Sequence, residues 1–387
     1  MNRLPATADA VVIGAGVVGA SCAHYLAEAG LSVVVVDRGA VASGTTGAGE
    51  GNILVSDKEI GAELELALMS NRLWRELTPH ISRAEFEVKG GIVVATSDVV
   101  LRRLREVASH QRGAGIDAIE LDEHQLHEQE PHLTRDVLGA VLYPQDSQVQ
   151  PMLAAAQLLR QTDGRIKVVT QTDVTGISLD GSGAVSGLTT SRGEISTPVV
   201  VNAAGTWSGE IAALAGVNLP IMPRRGFILV TQPMPPMVHH KVYTAEYLAN
   251  VSSDNEGLET STVVEGTHSG TILVGASRER VGFDRTVNYE VLSKLAAGAI
   301  SLFPFLRDTK LLRSYGGFRP YCPDHLPVIG PDVRVPGLYH ACGHEGAGVG
   351  LAPASGKLIA DCVVGNETEI SLEPFRAHRF DEVKVDV

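Results

Sequence analysis

The 387-residue sequence predicts an α/β protein (α+β overall) with two interleaved domains. Apolar runs over residues 10–13 and 32–36 flank a helical stretch over 17–29, which is typical of a parallel sheet covered on both faces. A strand-like run at 199–201 and a closing helix over 350–364 indicate that the chain returns to this layer twice. Because these segments are far apart in sequence, we expect them to assemble one discontinuous domain.

The intervening segments have a different character. Short strands at 91–96, 228–231 and 271–275 lie among turns, with helical stretches at 100–113 and 290–302. Such strands predict a smaller domain built on a mixed or antiparallel sheet. We therefore assign residues 1–85, 145–215 and 317–387 to the first domain, and residues 86–144 and 216–316 to the second.

Composition limits the partners and the compartment. Acidic residues outnumber basic ones by 45 to 32, which argues against binding to nucleic acid or to an anionic membrane surface. The four cysteines form no CxxC pair, so a disulfide scaffold, a zinc ribbon or an iron–sulfur site is not expected. The apolar stretch 10–23 is too short to span a bilayer and has turn-spaced glycines, so we expect a cytoplasmic protein without membrane insertion.

A glycine-rich motif lies between the first strand and the first helix. Gly14, Gly16 and Gly19 form a GxGxxG pattern, and the second strand ends in Asp37, 18 residues later. These glycines permit a tight turn, close approach of a pyrophosphate, and helix–strand packing, while an acidic side chain at this place accepts hydrogen bonds from ribose. We predict a Rossmann-like dinucleotide site that disfavours NADP, formed by Gly14, Ala15, Gly16, Val17, Val18, Gly19, Asp37 and the adjacent Arg38.

A second glycine-rich loop, SGTTGAGEG, follows over residues 43–51. A plain NAD enzyme would continue here with another strand–helix unit, whereas a hydroxyl-bearing loop suits a cofactor with a long extended middle, such as FAD. The candidate contacts in this loop are Ser43, Gly44, Thr45, Thr46, Gly49 and Gly51.

Five separated blocks together resemble one family. They are GAGVVG with Asp37, SGTTGAGEG, NAAGTWS at 202–208, GGFRPYCPDHLPVIG at 316–330 and GHEGAGVGLAPASG at 343–356. Their order and spacing resemble the D-amino acid oxidase superfamily of flavoproteins, which includes glycine oxidase, sarcosine oxidase and the flavin subunits of opine and D-hydroxyproline dehydrogenases. The resemblance implies an FAD-binding first domain and a substrate-binding second domain.

The resemblance also implies roles for individual residues. Arg319 falls where the family holds the substrate carboxylate, and a guanidinium fork matches a carboxylate. The start of the last helix would direct its backbone N–H groups at the isoalloxazine. Val174, in a strand around 168–177, falls where the family contacts adenine. The further cofactor contacts implied are Ala203, Ala204, Gly205, Trp207, Gly346, Ala347, Gly348, Val349 and Gly350.

Departures from the family pattern refine the expectation. Ala48 replaces a histidine that some relatives link covalently to the flavin, so we expect noncovalent FAD, and Cys322 is out of register for a cysteine link. Leu273 replaces a lysine that sarcosine oxidase uses with oxygen, which favours a dehydrogenase. The segment 277–286 resembles most closely the opine and hydroxyproline dehydrogenase flavin subunits, which work beside partner subunits carrying other redox centres.

Other polar residues are weaker candidates for the site. Tyr243 or Tyr247 could join Arg319 on the carboxylate, and His344 could form a polar wall of the site. Glu246 and Glu265 are expected to be solvated or paired, with either one a candidate for contact with a substrate ammonium. The alternation of histidines and a cysteine over 340–344 lacks a further ligand and is followed by glycines, so no metal site is expected.

These observations predict FAD-dependent oxidation of an amino or imino acid by hydride transfer to flavin N5. The substrate is expected to be a D-amino acid, D-proline or hydroxyproline, an N-substituted amino acid or an opine, and the reaction is expected to be of the dehydrogenase type. Two alternatives stay open. One is an oxygen-using oxidase of the glycine or sarcosine type, and the other is a non-catalytic flavin subunit that relays electrons in a complex.

Overall fold

The structure is a computed structural model that describes residues 4–160, 164–251 and 255–381. The predicted strand–helix–strand start is confirmed as β1 (Ala10–Ile13), α1 (Val17–Glu28) and β2 (Val33–Val36). Every residue of both strands is buried, because helices and loops cover the sheet on both faces.

Within the described residues, β1 and β2 are adjacent inner strands of a six-stranded sheet with the order β18–β19–β12–β1–β2–β8. Its neighbours pair in parallel, except that β18 is antiparallel to β19. The remaining strands of this sheet are β8 (Ile166–Val169), β12 (Val200–Asn202), β18 (Val328–Pro331) and β19 (Leu338–Cys342). The carboxyl ends of β1 and β12 therefore meet at one edge, where a ligand of an open α/β sheet binds.

Helices pack on this sheet and on a second, eight-stranded sheet. The last helix crosses α1 closely, because a Cβ on Gly356 would overlap the backbone of Ser21. The helices are α2 (Ala62–Leu77), α3 (Asp98–Gly113), α4 (Glu123–Gln129), α5 (Pro151–Leu158), α6 (Ser208–Ala213), α7 (Glu246–Val251), α8 (Tyr289–Leu302) and α9 (Gly348–Val364).

A mixed eight-stranded sheet holds most of the other described strands, in the order β17–β13–β16–β15–β14–β4–β6–β5. Its neighbours are antiparallel, except for the parallel pair β4 and β14. The strands are β4 (Gly91–Ala95), β5 (Ile119–Leu121), β6 (Gly139–Tyr143), β13 (Met222–Thr231), β14 (Lys241–Thr244), β15 (Glu259–Gly266), β16 (Ile272–Arg278) and β17 (Leu311–Tyr321).

Two smaller sheets complete the described strands. One is antiparallel and contains β9 (Val174–Leu179), β10 (Val185–Thr190) and β11 (Gly193–Ser196). The other pairs β3 (Asn52–Ile53) with β7 (Ser147–Gln148). The expectation of one strand over 168–177 is therefore wrong, because β8 and β9 belong to different sheets and a turn with Gln171 at a φ of 54° separates them.

The predicted strand over 228–231 was too short. The strand begins at Met222. Its first half escaped the prediction because two charged side chains there, Arg224 and Arg225, are buried in ion pairs. Arg224 pairs with Glu345 at 2.6 Å and with Glu259 at 3.0 Å, and Arg225 pairs with Glu279 at 2.8 Å. Hydrophobic periodicity cannot identify a strand whose buried positions are arginines.

The six-stranded and eight-stranded sheets draw their strands from the two sets of ranges proposed for the domains, with β17 crossing the boundary at 317. We keep that two-domain division as a proposal. Among the residues that the structure describes, none of the helices combines the length and the apolar character needed to cross a membrane.

Candidate active site

The turn after β1 requires glycine for steric reasons. Gly14 has a φ of 111°, and a Cβ there would overlap the carbonyl oxygen of Ala203 at the end of β12. A Cβ on Gly19 would overlap the carbonyl oxygen of Gly14, so the first turn of α1 also needs a residue without a side chain. These close approaches bring the ends of β1 and β12 and the start of α1 to one point.

Two side chains connect the glycine loops. The Asp37 carboxylate accepts hydrogen bonds from the backbone N–H groups of Ala15 and Gly39, each at 2.7 Å. The Thr46 hydroxyl accepts one from the backbone N–H of Val17 at 3.0 Å. Asp37 therefore holds the turn after β1 and the start of the loop after β2, and its side chain also lines a cavity.

A cavity of about 870 Å³ runs along these loops and reaches the start of α9. Most of the predicted cofactor residues line it: Gly14, Gly16, Val17, Val18, Asp37, Arg38, Ser43, Gly44, Thr45, Thr46, Gly49, Gly51, Val174, Ala203, Ala204, Gly205, Trp207, Arg319, Gly346, Gly348 and Val349. Four others do not line it. Ala15 is turned toward Asp37, Gly19 packs on Gly14, Gly350 packs on β3, and Ala347 lines a second cavity.

The cavity fits an extended dinucleotide. Neither Gly16 nor Ala347, the N-cap residues of α1 and α9, supplies a side-chain cap, and Thr46 takes the Val17 N–H of α1, so the other N–H groups of the first turns remain for ligand phosphates or carbonyls. Asp37 and the hydroxyl-bearing residues Ser43, Thr45 and Thr46 line the same cavity. Ala48 lines the cavity where a covalently linked histidine would stand, so this position supplies no covalent bond to the flavin.

An aromatic row beside the cavity was missed by the sequence analysis. The Arg38 guanidinium lies 4.0 Å from the centre of the Trp207 ring, which stacks on Phe283 at 5.3 Å. Phe283 in turn meets Phe318 edge to face. Phe283 follows the predicted strand by several residues, so only its tertiary neighbours connect it with the site.

Two arginines line the opposite end of the cavity. Arg319 donates a hydrogen bond to the carbonyl oxygen of Ser277 at 2.8 Å, and Arg278 lies over the ring of Tyr247 at 5.0 Å. Within the described ranges, no carboxylate forms an ion pair with either guanidinium. Burial, together with the nearby Arg278, lowers the pKa of Arg319 to about 10. The chemistry of two neighbouring guanidinium groups suits an anion, and Arg278 was not among the predicted site residues.

A second cavity, of about 990 Å³, adjoins the first. The two share Tyr247, Arg278, His344, Glu345 and Gly346. A face of α3, the loop before α2 and the start of α7 form its other walls. Space therefore continues past the arginine pair, away from the dinucleotide end.

The remaining candidates separate into residues inside and outside the site. Tyr247 and His344 line both cavities, and burial lowers the pKa of His344 to about 3, so its imidazole is neutral. Tyr243 lines neither cavity, because its buried hydroxyl bonds Ser56 at 2.5 Å, so the structure does not bring it to the site. His340 is bound by Asp332 at 3.0 Å, and no group of ligands for a metal is found among the described residues.

The expectation that Glu265 is solvated or paired is wrong. Its side chain is fully buried in β15, and neither carboxylate oxygen has a hydrogen-bond partner within the described part of the chain. Glu246, by contrast, is exposed at the rim of the second cavity.

Comparison with known proteins decides the family. A profile of the DAO family, described as FAD dependent oxidoreductase, matches residues 9–362. The chain belongs to the DAO family of FAD-dependent oxidoreductases. It is 32% identical to a glycine oxidase of Pseudomonas aeruginosa over 94% of this chain and 97% of that protein. It is 30% identical to the hydrogen cyanide synthase subunit HcnC of Pseudomonas protegens over 96% of each.

A solved structure agrees with this assignment. The L-proline dehydrogenase from P. horikoshii superimposes with a TM-score of 0.88 at 25% identity, covering 98% of this chain and 99% of that one. As a member of this family, the chain is an FAD-dependent oxidoreductase.

Proposed function

We propose that the chain oxidises an amino or imino acid whose carboxylate is held by Arg319 together with Arg278. The observation that carries this proposal is the arginine pair, which faces the cavity without a carboxylate partner among the described residues. A bidentate guanidinium–carboxylate pair would satisfy both the charge and the planar geometry of such a site.

The residues around the pair supply orientation rather than acid catalysis. FAD, when bound, accepts the hydride from the carbon that bears the nitrogen. Arg319 and Arg278 would hold the carboxylate, and so fix the direction of the Cα–H bond. Neutral His344, which bonds the Ser355 hydroxyl at 2.8 Å, would contribute a fixed polar wall. The free N–H groups at the start of α9 would stabilise negative charge on the reduced ring.

We infer that the substrate is larger than glycine. The second cavity begins at Arg278 and Tyr247 and has about 990 Å³ of space, at the upper end of the volumes that bury drug-sized ligands. Ile60, Leu104 and Leu248 contribute apolar walls to it. An acid with a substantial side chain or N-substituent, such as an opine or a bulky amino acid, would use this space.

We propose the dehydrogenase type with partner subunits as electron acceptors. Leu273 stands on β16 in place of the lysine that sarcosine oxidase uses with oxygen, and it packs with Ile228 and Val230. One relative is named as a subunit of a larger synthase, which supports a multi-subunit arrangement. The non-catalytic relay is disfavoured by an arginine pair that faces open space.

Anaerobic flavin bleaching tests these proposals. The purified holoprotein would be titrated with D-amino acids, D-proline, hydroxyproline, sarcosine, glycine and opines, and air would then be admitted. We expect bleaching by one class of bulky acids that persists in air and reverses with an artificial acceptor. Rapid recolouring in air would identify an oxidase instead. Arg319→Ala should abolish bleaching at substrate concentrations that saturate the wild type while retaining FAD, and unchanged bleaching would refute the carboxylate assignment.

A further inference from the structure

Three charged side chains share the face of the eight-stranded sheet that borders the FAD cavity. Lys241 on β14 lies directly opposite Glu265 on β15, and Glu265 lies opposite Leu273 on β16. Directly paired residues point to the same face of a sheet, as do residues two apart on one strand. Gly275 therefore also lies on this face, and a Cβ there would overlap the Glu50 carboxylate.

Lys241 and Glu265 are buried and Glu50 is half-buried, and all three have polar atoms without a hydrogen-bond partner among the described residues. Lys241 is 3% exposed and Glu265 is 0% exposed. The Lys241 Nζ, both oxygens of Glu265 and Oε1 of Glu50 have no hydrogen-bond partner within residues 4–160, 164–251 and 255–381. An unsatisfied buried charge is costly, so an arrangement of three in one place is characteristic of a functional site.

Glu50 is the member of this group that reaches the cavity. It lines the same space as Arg278 and Arg319, and its charge acts directly on the Arg319 guanidinium. Asn52 donates a hydrogen bond to Oε2 at 3.1 Å, and Oε1 lies against Gly275 without a hydrogen-bond partner among the described residues. An amino acid is a zwitterion, so a site with an arginine pair on one side and the Glu50 carboxylate on the other matches both of its charges.

We propose that Glu50 binds the substrate's ammonium group and accepts one of its protons before oxidation. This inference rests on the proposed function. An N–H bond breaks, its electron pair stays on nitrogen, and an O–H bond forms on Glu50. The nitrogen lone pair is then available to form the C=N bond as the α-hydrogen leaves with its electron pair as hydride, for which FAD is the oxidant.

Lys241 and Glu265 are positioning residues for this step. Burial alone would lower the pKa of Lys241, but Tyr247, Glu50 and Glu265 raise it above its usual value, so the ammonium persists beside Glu50. Glu265 lies directly opposite Lys241 on the same sheet face. The charged and titratable groups that face Glu50 and Lys241 are Asp57, Tyr247, Glu265, Arg278, Tyr315 and Arg319.

Binding of two unreactive acids tests the role of Glu50 without turnover. 2-Aminoisobutyrate has no α-hydrogen and cannot be oxidised, and isobutyrate is the same acid without the nitrogen. The Kd of each would be measured on the holoprotein from the change in flavin absorbance. We expect Glu50→Gln to weaken 2-aminoisobutyrate by about 30-fold while isobutyrate binds as well as before or better, and Glu194→Gln, an exposed carboxylate on β11, to change neither.

The two ligands separate failure of this inference from failure of the proposed function. If Arg319→Ala leaves the affinity for both acids unchanged, the carboxylate site itself is refuted. If Arg319→Ala weakens both but Glu50→Gln does not alter their ratio, the assignment of Glu50 is refuted.

A pH profile tests Lys241. In Lys241→Met the pH profile of kcat/KM should be displaced, because the site loses a buried cation, and Lys241→Arg should restore the wild-type profile. Loss of activity without a displaced profile would show that Lys241 only maintains the fold, and would refute its positioning role.

Discussion

Gly226 on β13 is where a single methyl group should disable substrate binding. A Cβ there would overlap Nη1 of Arg319 and lie 2.5 Å from the carbonyl oxygen of Ser277, which accepts the Arg319 hydrogen bond. Displacement of the flexible guanidinium relieves the first overlap, whereas the second requires β13 and the β16 carbonyl to move apart, so the hydrogen bond that holds Arg319 is lost. Loss of one hydrogen bond to a charged group costs about 1.5–3 kcal/mol, which corresponds to about a 10- to 150-fold fall in kcat/KM for Gly226→Ala.

The assay compares kcat/KM with FAD content per chain and with the melting temperature. Gly181→Ala is the matched control, because nothing lies within 4 Å of a Cβ there. Adding Gly226→Ala to Arg319→Ala should cause little further loss, since the guanidinium that the new methyl group would displace is already absent. A folded, FAD-replete Gly226→Ala protein with wild-type kcat/KM would refute the claim that this glycine makes room for Arg319.

Three further predictions concern the cofactor, a buried ion pair and the effect of pH. Gly14→Ala should lose FAD, measured by absorbance per chain, because its Cβ would overlap Ala203, whereas Gly30→Ala, also at positive φ but with open space around it, should retain FAD. Arg224→Met should lower the free energy of unfolding by about 3–5 kcal/mol in denaturant titrations, because it removes the fully buried guanidinium that pairs with Glu345 and Glu259, and exposed Arg102→Met should change it little. Burial raises the pKa of Glu265 from 4.5 to about 7, so the folded state binds this proton more tightly and stability falls as pH rises through that window. Glu265→Gln cannot ionise, so its free energy of unfolding should rise by about 3 kcal/mol relative to that of the wild type between pH 4.5 and 7. Parallel pH–stability curves for the two proteins would contradict the titration of a buried Glu265.

The cofactor end of the site was readable from the sequence because its requirements are local. Gly14, Gly19 and Asp37 lie within one strand–helix–strand unit, where steric overlap and hydrogen bonds act between segments close in sequence. The same locality explains why β1, α1 and β2 were placed to within a residue or two.

The substrate end was not readable in this way. Tyr243 and Tyr247 are four residues apart, and only the fold shows that the first bonds Ser56 while the second enters both cavities. Arg224 and Arg319 are directly paired on β13 and β17, yet the first is neutralised by carboxylates and the second faces open space. Nothing in the two local sequences distinguishes them.

The sequence by itself determined the dinucleotide turn and the interleaved α/β plan, and only its resemblance to a known family singled out Arg319. Tertiary structure decided which charges remain unpaired, because Glu50, Lys241 and Glu265 come together only through the register of three strands and one loop. The physical reason is the separation along the sequence over which each kind of interaction acts. Backbone conformation and hydrogen bonding of adjacent residues act locally, whereas the desolvation and pairing of a charge depend on every segment that packs around it.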